Sequence, residues 1–543
     1  MIDSGTTLFR SKFLINERKI CDCKYYRGYP VFSKFVLPGD VWKIHTESFI
    51  RLQPMLSPTL TPNQGRIRFF FVPIRLVEEQ TELIITGSKD GYFNKDVDIP
   101  SFDAWHITAP SASSSFSVSV AKHSVISYMT GLPVKSYLKG TWFDLESVPA
   151  DYWRKAYWRI YWDYYRDENL DTDGNGDFDT FVYAKYGVAE DSFFKVKLPH
   201  DYFTKSLPWQ LKGITPAMDF GSVYYDTDKI LGVNPSSGIR VGFDVADRTG
   251  TPSFGLSSSS SQSLTSDQLN LLKQNIASFF TNVGLSSSSF NMSDLRDLSA
   301  QTRVFERLAR CGSRYTEYLR ANFGTAPADG TLQRAQYLGG VKFPIVTTEI
   351  PQTAQAQNSS GDETPVGTLR GKGISASSGS IKAARFSEFG VVIGIADFRP
   401  TVQYTQGLPR EYSYKRRFDF FNPSFQHLSE QEVRNSEVFF DGTNDDDATW
   451  GYQLMYQELR TGKTSIVGGM RDTLKFWHQG IEFPSRPSLN SAFITGSNYD
   501  DSWNRVFEVV GDDSYPIIAD FGFYCEVHRP MVRYGTPGLV DHL

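Results

Sequence analysis

Cysteine is scarce in this chain: its 543 residues include only Cys21, Cys23, Cys311 and Cys525. Disulfide frameworks occur in short, cysteine-dense chains, and these spacings match no zinc pattern, so we expect reduced thiols. Long apolar runs are also missing, since no stretch approaches the ~18 residues that span a bilayer. The N-terminus lacks a basic segment followed by an apolar one. We therefore expect a soluble, unsecreted protein with no membrane insertion.

Charge is limited as well. Asp, Glu, Lys and Arg make up 22% of the chain, and the formal net charge is −5. Because a net acidic surface repels phosphates, any contact with nucleic acid must come from a local basic patch. The first 35 residues are locally basic, which makes them a candidate DNA-binding arm: Arg10, Lys12, Arg18, Lys19, Lys24 and Arg27. An arm ordered by a neighbouring subunit explains the same composition equally well.

Catalytic motifs are missing. The eight histidines are scattered, with no HExxH pattern and no nucleophile elbow. The segment Thr461–Thr464 ends like a phosphate loop, but Gln457 stands where the leading glycine belongs. We expect no enzyme, and neither catalytic nor cofactor-binding residues.

One metal-binding motif is incomplete. The segment 171–179 matches a calcium loop, with these candidate ligands: Asp171, Asp173, Asn175, Asp177 and Asp179. Position twelve is Val182, where a bidentate glutamate belongs, so bound calcium would be weak. A solvated turn rich in Asp and Gly is the alternative.

Aromatic residues, in contrast, are abundant at 15% of the chain, which suits an all-β protein with large buried surfaces. Hydrophobic alternation and continuous β-rich runs predict strands in several places: Val31–Leu37, Val41–Gln53, Arg66–Pro73, Phe389–Phe398 and Ile517–Val527. Because these strands lie early and late in the chain, one sheet system should combine both chain ends.

Two helices are predicted. Pro149–Asn169 carries aromatic residues on all sides, so it should be enclosed, and we favour a position between subunits over base stacking: Trp153, Tyr157, Trp158 and Trp162 are interface candidates. Asp294–Phe323 places four arginines on one face: Arg303, Arg307, Arg310 and Arg314. Their guanidinium groups bind either phosphates or the carboxylates of a neighbouring subunit, and we favour the protein contact.

Two further segments differ from the rest in composition. Residues 215–297 contain the serine tracts Ser257–Ser261 and Ser286–Ser289 around one helical pattern, typical of an insertion that packs against its own copies. Residues 529–543 are irregular because of Pro530, Gly535 and Pro537, yet remain apolar. We interpret this tail as a docking strap whose contacts include Met531, Tyr534 and Leu539.

Short motifs along nearly the whole chain resemble those of the major capsid proteins of the Microviridae, particularly the gokushovirus branch. They occur in the same order: Leu37–Asp40, Arg68–Leu76, Tyr165–Leu170, His200–Trp209, Arg314–Glu317, Tyr337–Gly340 and Pro537–His542. Two positions, Ile74 and Val532, differ from the residues that are usual in the family at those sites. The resemblance implies a mainly β fold, an eight-stranded antiparallel viral jelly roll with long, partly helical insertions.

The resemblance also implies a function. It predicts pentamers that form a T=1 icosahedral shell around circular single-stranded DNA, assembled in the bacterial cytoplasm. It further implies a small basic DNA-packaging protein, a host receptor met by the serine-rich insertion, and branch-dependent scaffolding, pilot or spike proteins. The chain would divide into an N-terminal arm (1–35), two jelly-roll parts (36–214 and 298–528), the insertion (215–297) and the strap (529–543). A glycan-binding jelly-roll adhesin is the alternative function.

Overall fold

Antiparallel strands build most of the secondary structure among the described residues. In chain order they are β1 (Ser11–Cys23), β2 (Tyr29–Val36), β3 (Val41–Leu52), β4 (Asn63–Pro73), β5 (Trp105–His106), β6 (Ser147–Val148), β7 (Val223–Tyr225), β8 (Val283–Leu285), β9 (Gln336–Pro351), β10 (Ala356–Gln357), β11 (Glu363–Thr364), β12 (Leu369–Ser380), β13 (Ala384–Arg385), β14 (Gly390–Pro400), β15 (Glu430–Arg434), β16 (Thr449–Leu454) and β17 (Ile517–Arg529).

Helices are few and mostly short in the part of the chain that the structure describes. They are α1 (Thr81–Thr86), α2 (Val125–Thr130), α3 (Tyr152–Tyr164), α4 (Met292–Cys311), α5 (Asn435–Val438), α6 (Ser491–Ile494) and α7 (Asp500–Asn504).

The computed structural model describes a defined set of residues: 10–86, 105–106, 123–131, 147–148, 151–171, 192–210, 223–225, 283–285, 292–311, 328–329, 333–353, 356–357, 363–364, 366–426, 428, 430–462, 464–508 and 515–533. Two compact units share the chain. The first combines Met1–Gln210 with Cys311–Leu543, and the second is Leu211–Arg310.

The first unit contains the jelly roll. Its eight long strands follow the order β1-β17-β3-β12-β9-β4-β14-β2, with the short β13 beside β3, and the sheet is nearly closed. Strand β17, from the chain's end, lies between β1 and β3, and β14 lies between β4 and β2. The predicted antiparallel jelly roll, assembled from both ends of the chain, is confirmed.

Side-chain alternation explains why these segments are strands. In β3, every second residue is buried, Trp42, Ile44 and Ile50 among them, while the residues that alternate with these face outward, as a half-buried strand requires. In β4, Phe69, Phe70 and Phe71 are all buried. Both faces of β4 are therefore covered, as its continuous apolar run predicts.

The predicted N-terminal arm is wrong from Ser11 onward. That segment is β1, which pairs with β17 along its full length, from Ser11 opposite Arg529 to Cys23 opposite Ile517. Lys12 and Arg18 lie on the exposed face of β1, whereas Lys19 shares the half-buried face with Phe13 and Ile15. The basic residues of this segment thus belong to a paired strand rather than to a free arm.

The second unit is described in three pieces, β7, β8 and α4, of which β7 and β8 pair antiparallel. The predicted insertion, 215–297, lies within this unit. Its serine tracts and the helix expected between them fall outside the described residues. The expected helix at Asp294–Phe323 is observed as α4 up to Cys311.

Candidate functional site: assembly and nucleic-acid surfaces

The basic residues predicted to bind DNA have partners inside the chain. Lys12 Nζ lies 3.0 Å from Glu526, Arg18 forms an ion pair with Asp520, and Arg27 Nη2 lies 2.6 Å from Asp500. In addition, Lys19 donates to the carbonyl of Tyr128, and Lys24 Nζ lies 4.8 Å from the ring centre of Tyr515. Three of the six cations, Lys12, Arg18 and Arg27, are therefore paired with carboxylates, and the contact of this set with DNA stays a prediction. Arg10 is exposed at the first described position.

Helix α3 packs into the subunit's own core. Tyr157 and Trp158 are almost completely buried, and the hydroxyl of Tyr157 donates to the carbonyl of Gly28 at 2.7 Å. Their rings contact Phe194, with ring centres 4.8 and 6.2 Å apart. A side chain without exposed surface cannot contact a neighbouring subunit, so the interface prediction is wrong for these two residues. Trp153 and Trp162 are partly buried, and their interface role stays a prediction.

The cations of α3 are also engaged within the chain. Arg154 pairs with Asp151 at 2.7 Å, and Lys155 pairs with Glu78 at 3.0 Å. Because the central rings of α3 are inaccessible and these cations are paired, the alternative of base stacking on this helix has no geometric support.

Other interface candidates are only partly described. Arg303 on α4 is exposed, whereas the side chains of Arg307 and Arg310 and the whole of Arg314 lie outside the described residues. In the C-terminal strap Met531 is exposed. Tyr534 and Leu539 are likewise outside, so these contacts stay predictions.

The calcium motif is described at its first position alone. Asp171 is buried, its Oδ2 accepts a hydrogen bond from Tyr161 at 2.8 Å, and Lys197 Nζ lies 3.3 Å away. Asp173, Asn175, Asp177 and Asp179 fall outside the described residues. No group of three or more metal-ligating side chains occurs among the residues that are described. Calcium binding stays a prediction.

A set of apolar side chains lies on the outer face of the sheet. Cross-strand pairing sets Ile20 opposite Asp520, Asp520 opposite Phe49 and Phe49 opposite Ala376. The next row sets Ile518 opposite Arg51, Arg51 opposite Ile374 and Ile374 opposite Val346. Neighbouring rows are in reach of each other, so these side chains form one surface. We call it the apolar band: Ile20, Phe49, Val346, Ile374, Ala376 and Ile518.

The apolar band crosses five strands and is open to solvent in the single chain. Ile20 is 72% exposed, Val346 58% and Ile518 42%. Two charged residues lie within the band, Asp520 between Ile20 and Phe49 and Arg51 between Ile518 and Ile374. Asp520 pairs with Arg18, and the guanidinium of Arg51 lies 5.0 Å from the ring centre of Phe49. The sequence does not reveal the band, because its members come from five strands that are distant in the chain. In addition, the basic composition of β1 predicts an arm rather than a strand.

A second exposed apolar region is the aromatic segment, residues 410–428. Tyr412 is 78% exposed, Phe418 62%, Phe420 57% and Phe421 52%. The segment is anchored at its start, where Arg410 Nη1 lies 3.1 Å from Glu437. The density of Phe within Arg416–Phe421 was a visible signal, but it has neither helical nor strand periodicity.

A buried carboxylate lies among three arginines on β4 and β14. Asp397 is fully buried, with Arg66 Nε at 2.8 Å and Arg399 Nε at 2.6 Å from its oxygens, and Arg68 Nη2 at 3.7 Å. Burial alone would raise the pKa of Asp397, but the attraction of the three guanidinium groups outweighs it and lowers that pKa. This cluster joins neighbouring strands rather than forming a catalytic site.

Similarity to known proteins decides what these surfaces belong to. The sequence profile of the family described as "Capsid protein (F protein)" matches residues 4–539. The chain belongs to this capsid protein family. The resemblance to microvirus capsid proteins is thereby confirmed, and the chain is a structural protein, not an enzyme.

Three relatives share the name "Capsid protein VP1". That of Bdellovibrio phage phiMH2K is 30% identical and covers 94% of this chain and 91% of its own length. That of Chlamydia phage 1 is 29% identical, covering 94% and 92%. That of Spiroplasma virus 4 is 24% identical, covering 98% and 96%. Among the described helices, none is both long and apolar enough to cross a membrane.

Proposed function

We propose that this capsid protein is the major subunit of a T=1 icosahedral shell, assembled through pentamers in the host cytoplasm, that encloses circular single-stranded DNA. The observation that carries this proposal is the apolar band. Four of its large apolar side chains, Ile20, Phe49, Val346 and Ile518, are exposed together on one sheet face, as in a contact surface. In a family of shell proteins, the economical cover for such a face is another copy of the chain.

The rigidity of the sheet supports a specific contact. The members of the apolar band are held by regular pairing of β1, β17, β3, β12 and β9, so their spacing is fixed before association. Preorganised apolar contacts lose little conformational entropy on binding. Repeated by symmetry around a closed shell, even a modest contact per subunit becomes decisive for assembly.

The test is a double substitution, Ile20→Asp with Ile518→Asp. Ile20 is 72% exposed and Ile518 42%, and they lie opposite Asp520 and Asp22. Circular dichroism and denaturation of the unassembled chain would therefore check that the variant folds as the parent does. Two desolvated charges in each contact should cost about 2 kcal/mol or more and reduce shell yield by more than about tenfold. Sedimentation and negative-stain imaging measure that yield.

Leu60→Asp is the matched control, because Leu60 is 65% exposed and lies outside the apolar band. It should form shells like the parent. Normal shell yield from the double variant would show that the band is not an assembly contact.

Host attachment is assigned to the insertion at 215–297, which lies within a compact unit of its own. Deleting the tracts Ser257–Ser261 and Ser286–Ser289 should reduce attachment of particles to host cells while shells still form. An adsorption assay with purified particles measures this. If the deletion variant formed no shells at all, the assignment of the insertion to host attachment would be contradicted.

Partners follow from charge. A net charge of −5 per subunit opposes DNA packing, so a small basic DNA-packaging protein belongs to the proposal. Scaffolding, pilot or spike proteins and the host receptor are the further partners that we infer from the family resemblance. The family assignment disfavours the glycan-binding adhesin.

A further inference from the structure

The subunit needs an uncompensated basic surface if it is to contact DNA, because its net charge is negative. The predicted set in β1 and the following turn is mostly paired with the chain's own groups. A different group of cations lies in the aromatic segment. Lys415, Arg416 and Arg417 are consecutive and exposed, and among the described residues none of them has an ion-pair partner within 4 Å.

The loop that carries these cations is ordered. Asp419 Oδ2 accepts hydrogen bonds from the backbone N–H groups of Lys415 at 2.8 Å and Arg416 at 2.7 Å. These hydrogen bonds lower the pKa of Asp419. The carboxylate therefore fixes the turn, and the three positive side chains remain exposed to solvent.

Aromatic rings follow the cations directly. Phe418, Phe420 and Phe421 are each more than half exposed. Each is supported by a second ring: Phe425 lies 5.7 Å from Phe418, Tyr414 lies 5.5 Å from Phe420, and Tyr456 lies 4.9 Å from Phe421 between ring centres. A ring that packs against a second ring keeps a fixed orientation, and its exposed surface is then available for stacking.

We propose that residues 415–421 bind a stretch of single-stranded DNA. The cations contact phosphates and the phenylalanine rings stack on unpaired bases, the combination that binds single strands without sequence preference. Base-paired DNA does not offer its base faces to such rings. This inference rests on the proposed enclosure of single-stranded DNA and names the surface that performs it.

The contrast with the apolar band assigns a different partner to each surface. The cations beside the band are held by Asp520 and by the ring of Phe49, which leaves an apolar surface suited to another protein chain. In the aromatic segment, the guanidinium of Arg417 lies 5.7 Å from the ring centre of Phe418 and has no carboxylate partner among the described residues. Cations without carboxylate partners beside exposed aromatic rings suit a ligand that carries both phosphates and unpaired bases.

The test titrates the purified full-length chain with labelled oligothymidylate and follows fluorescence anisotropy at several salt concentrations. One variant combines Lys415→Gln, Arg416→Gln and Arg417→Gln. It should bind more weakly, and the slope of log affinity against log salt should fall by about 2, since each lost phosphate contact removes about 0.7.

A second variant combines Phe418→Leu, Phe420→Leu and Phe421→Leu. It should lose about tenfold or more in affinity with its salt slope unchanged, because base stacking contributes about 1–3 kcal/mol per base. The charge-matched control combines Lys43→Gln, Lys342→Gln and Lys372→Gln, three exposed cations on the sheet. Its affinity should stay within about twofold of the parent.

Parental affinity and salt slope in the cation variant would overturn the proposal. So would a ring variant that binds DNA normally but forms no shells, because the segment would then be a contact between copies. Shells from a parent chain that binds no oligothymidylate would also overturn it, while leaving self-assembly intact. Failure of assembly in the parent, with DNA binding lost as predicted in both variants, would instead contradict the proposed shell.

Discussion

Asp397→Asn should destabilise the isolated subunit by about 3–5 kcal/mol, because it leaves buried guanidinium groups without their counter-charge. Asp397 is fully buried and contacts arginines from both strands of the β4–β14 pair. Arg66 and Arg399 are about four-fifths buried as well, so water replaces little of the lost interaction. Chemical denaturation of the unassembled chain measures the change.

The pH dependence of stability gives a second readout. The folded state lowers the pKa of Asp397 below its ordinary value of 3.8, so the unfolded chain takes up this proton at a higher pH than the folded chain does. The contribution of Asp397 is therefore complete above about pH 4 and is lost as pH falls through the lower, folded-state pKa. The Asn variant should lack this component.

Asp447→Asn is the control, since the side chain of Asp447 is 76% exposed and its pair with Arg434 lies on the surface. It should change stability by less than about 1 kcal/mol. A similar, small effect of both substitutions would show that the arginine cluster does not depend on Asp397.

Trp158→Ala should destabilise the subunit by about 3–5 kcal/mol, because it removes a fully buried indole and leaves a cavity. The indole packs against Tyr161 and Phe194, with ring centres 5.9 and 6.2 Å away. An interface residue would behave differently, because its removal would weaken assembly and leave the unassembled chain as stable as before.

Tyr412→Ala is the matched aromatic control. Tyr412 is 78% exposed, so its removal should change the stability of the unassembled chain by less than about 0.5 kcal/mol. If the Trp158 variant had the same denaturation midpoint as the parent, the helix α3 would instead be a contact between subunits.

The strands that sequence reasoning found are those whose side chains alone reveal their environment. Alternating burial in β3 and the continuous Phe69–Phe71 run in β4 are local patterns, visible without any partner strand. The sequence does not predict strand β12, because its extended conformation depends on its pairing with β3 and β9 and not on a pattern of its own residues. A Cβ atom on Gly373 would lie 2.4 Å from Leu52 Cδ1 and 2.6 Å from its Cγ, so any larger residue there would displace the side chain of Leu52 in β3.

Helix α3 shows where local pattern stops being informative. Its aromatic residues on all sides predict an enclosed helix, and the helix is enclosed. The same pattern fits burial against a neighbouring subunit or against the chain's own core. Only the packing of Tyr157 and Trp158 against Phe194 decides between them.

By itself, the sequence determined the fold class, the family and the absence of an enzyme's motifs, because alternation, aromatic content and ordered motifs are properties of the linear chain. The tertiary structure alone decided which charges are free and which apolar side chains lie together. Lys12 and Arg18 are neutralised by β17, about 500 positions later, whereas the cations at 415–417 are not. Burial and pairing depend on distances across strands, and no local spacing encodes those distances.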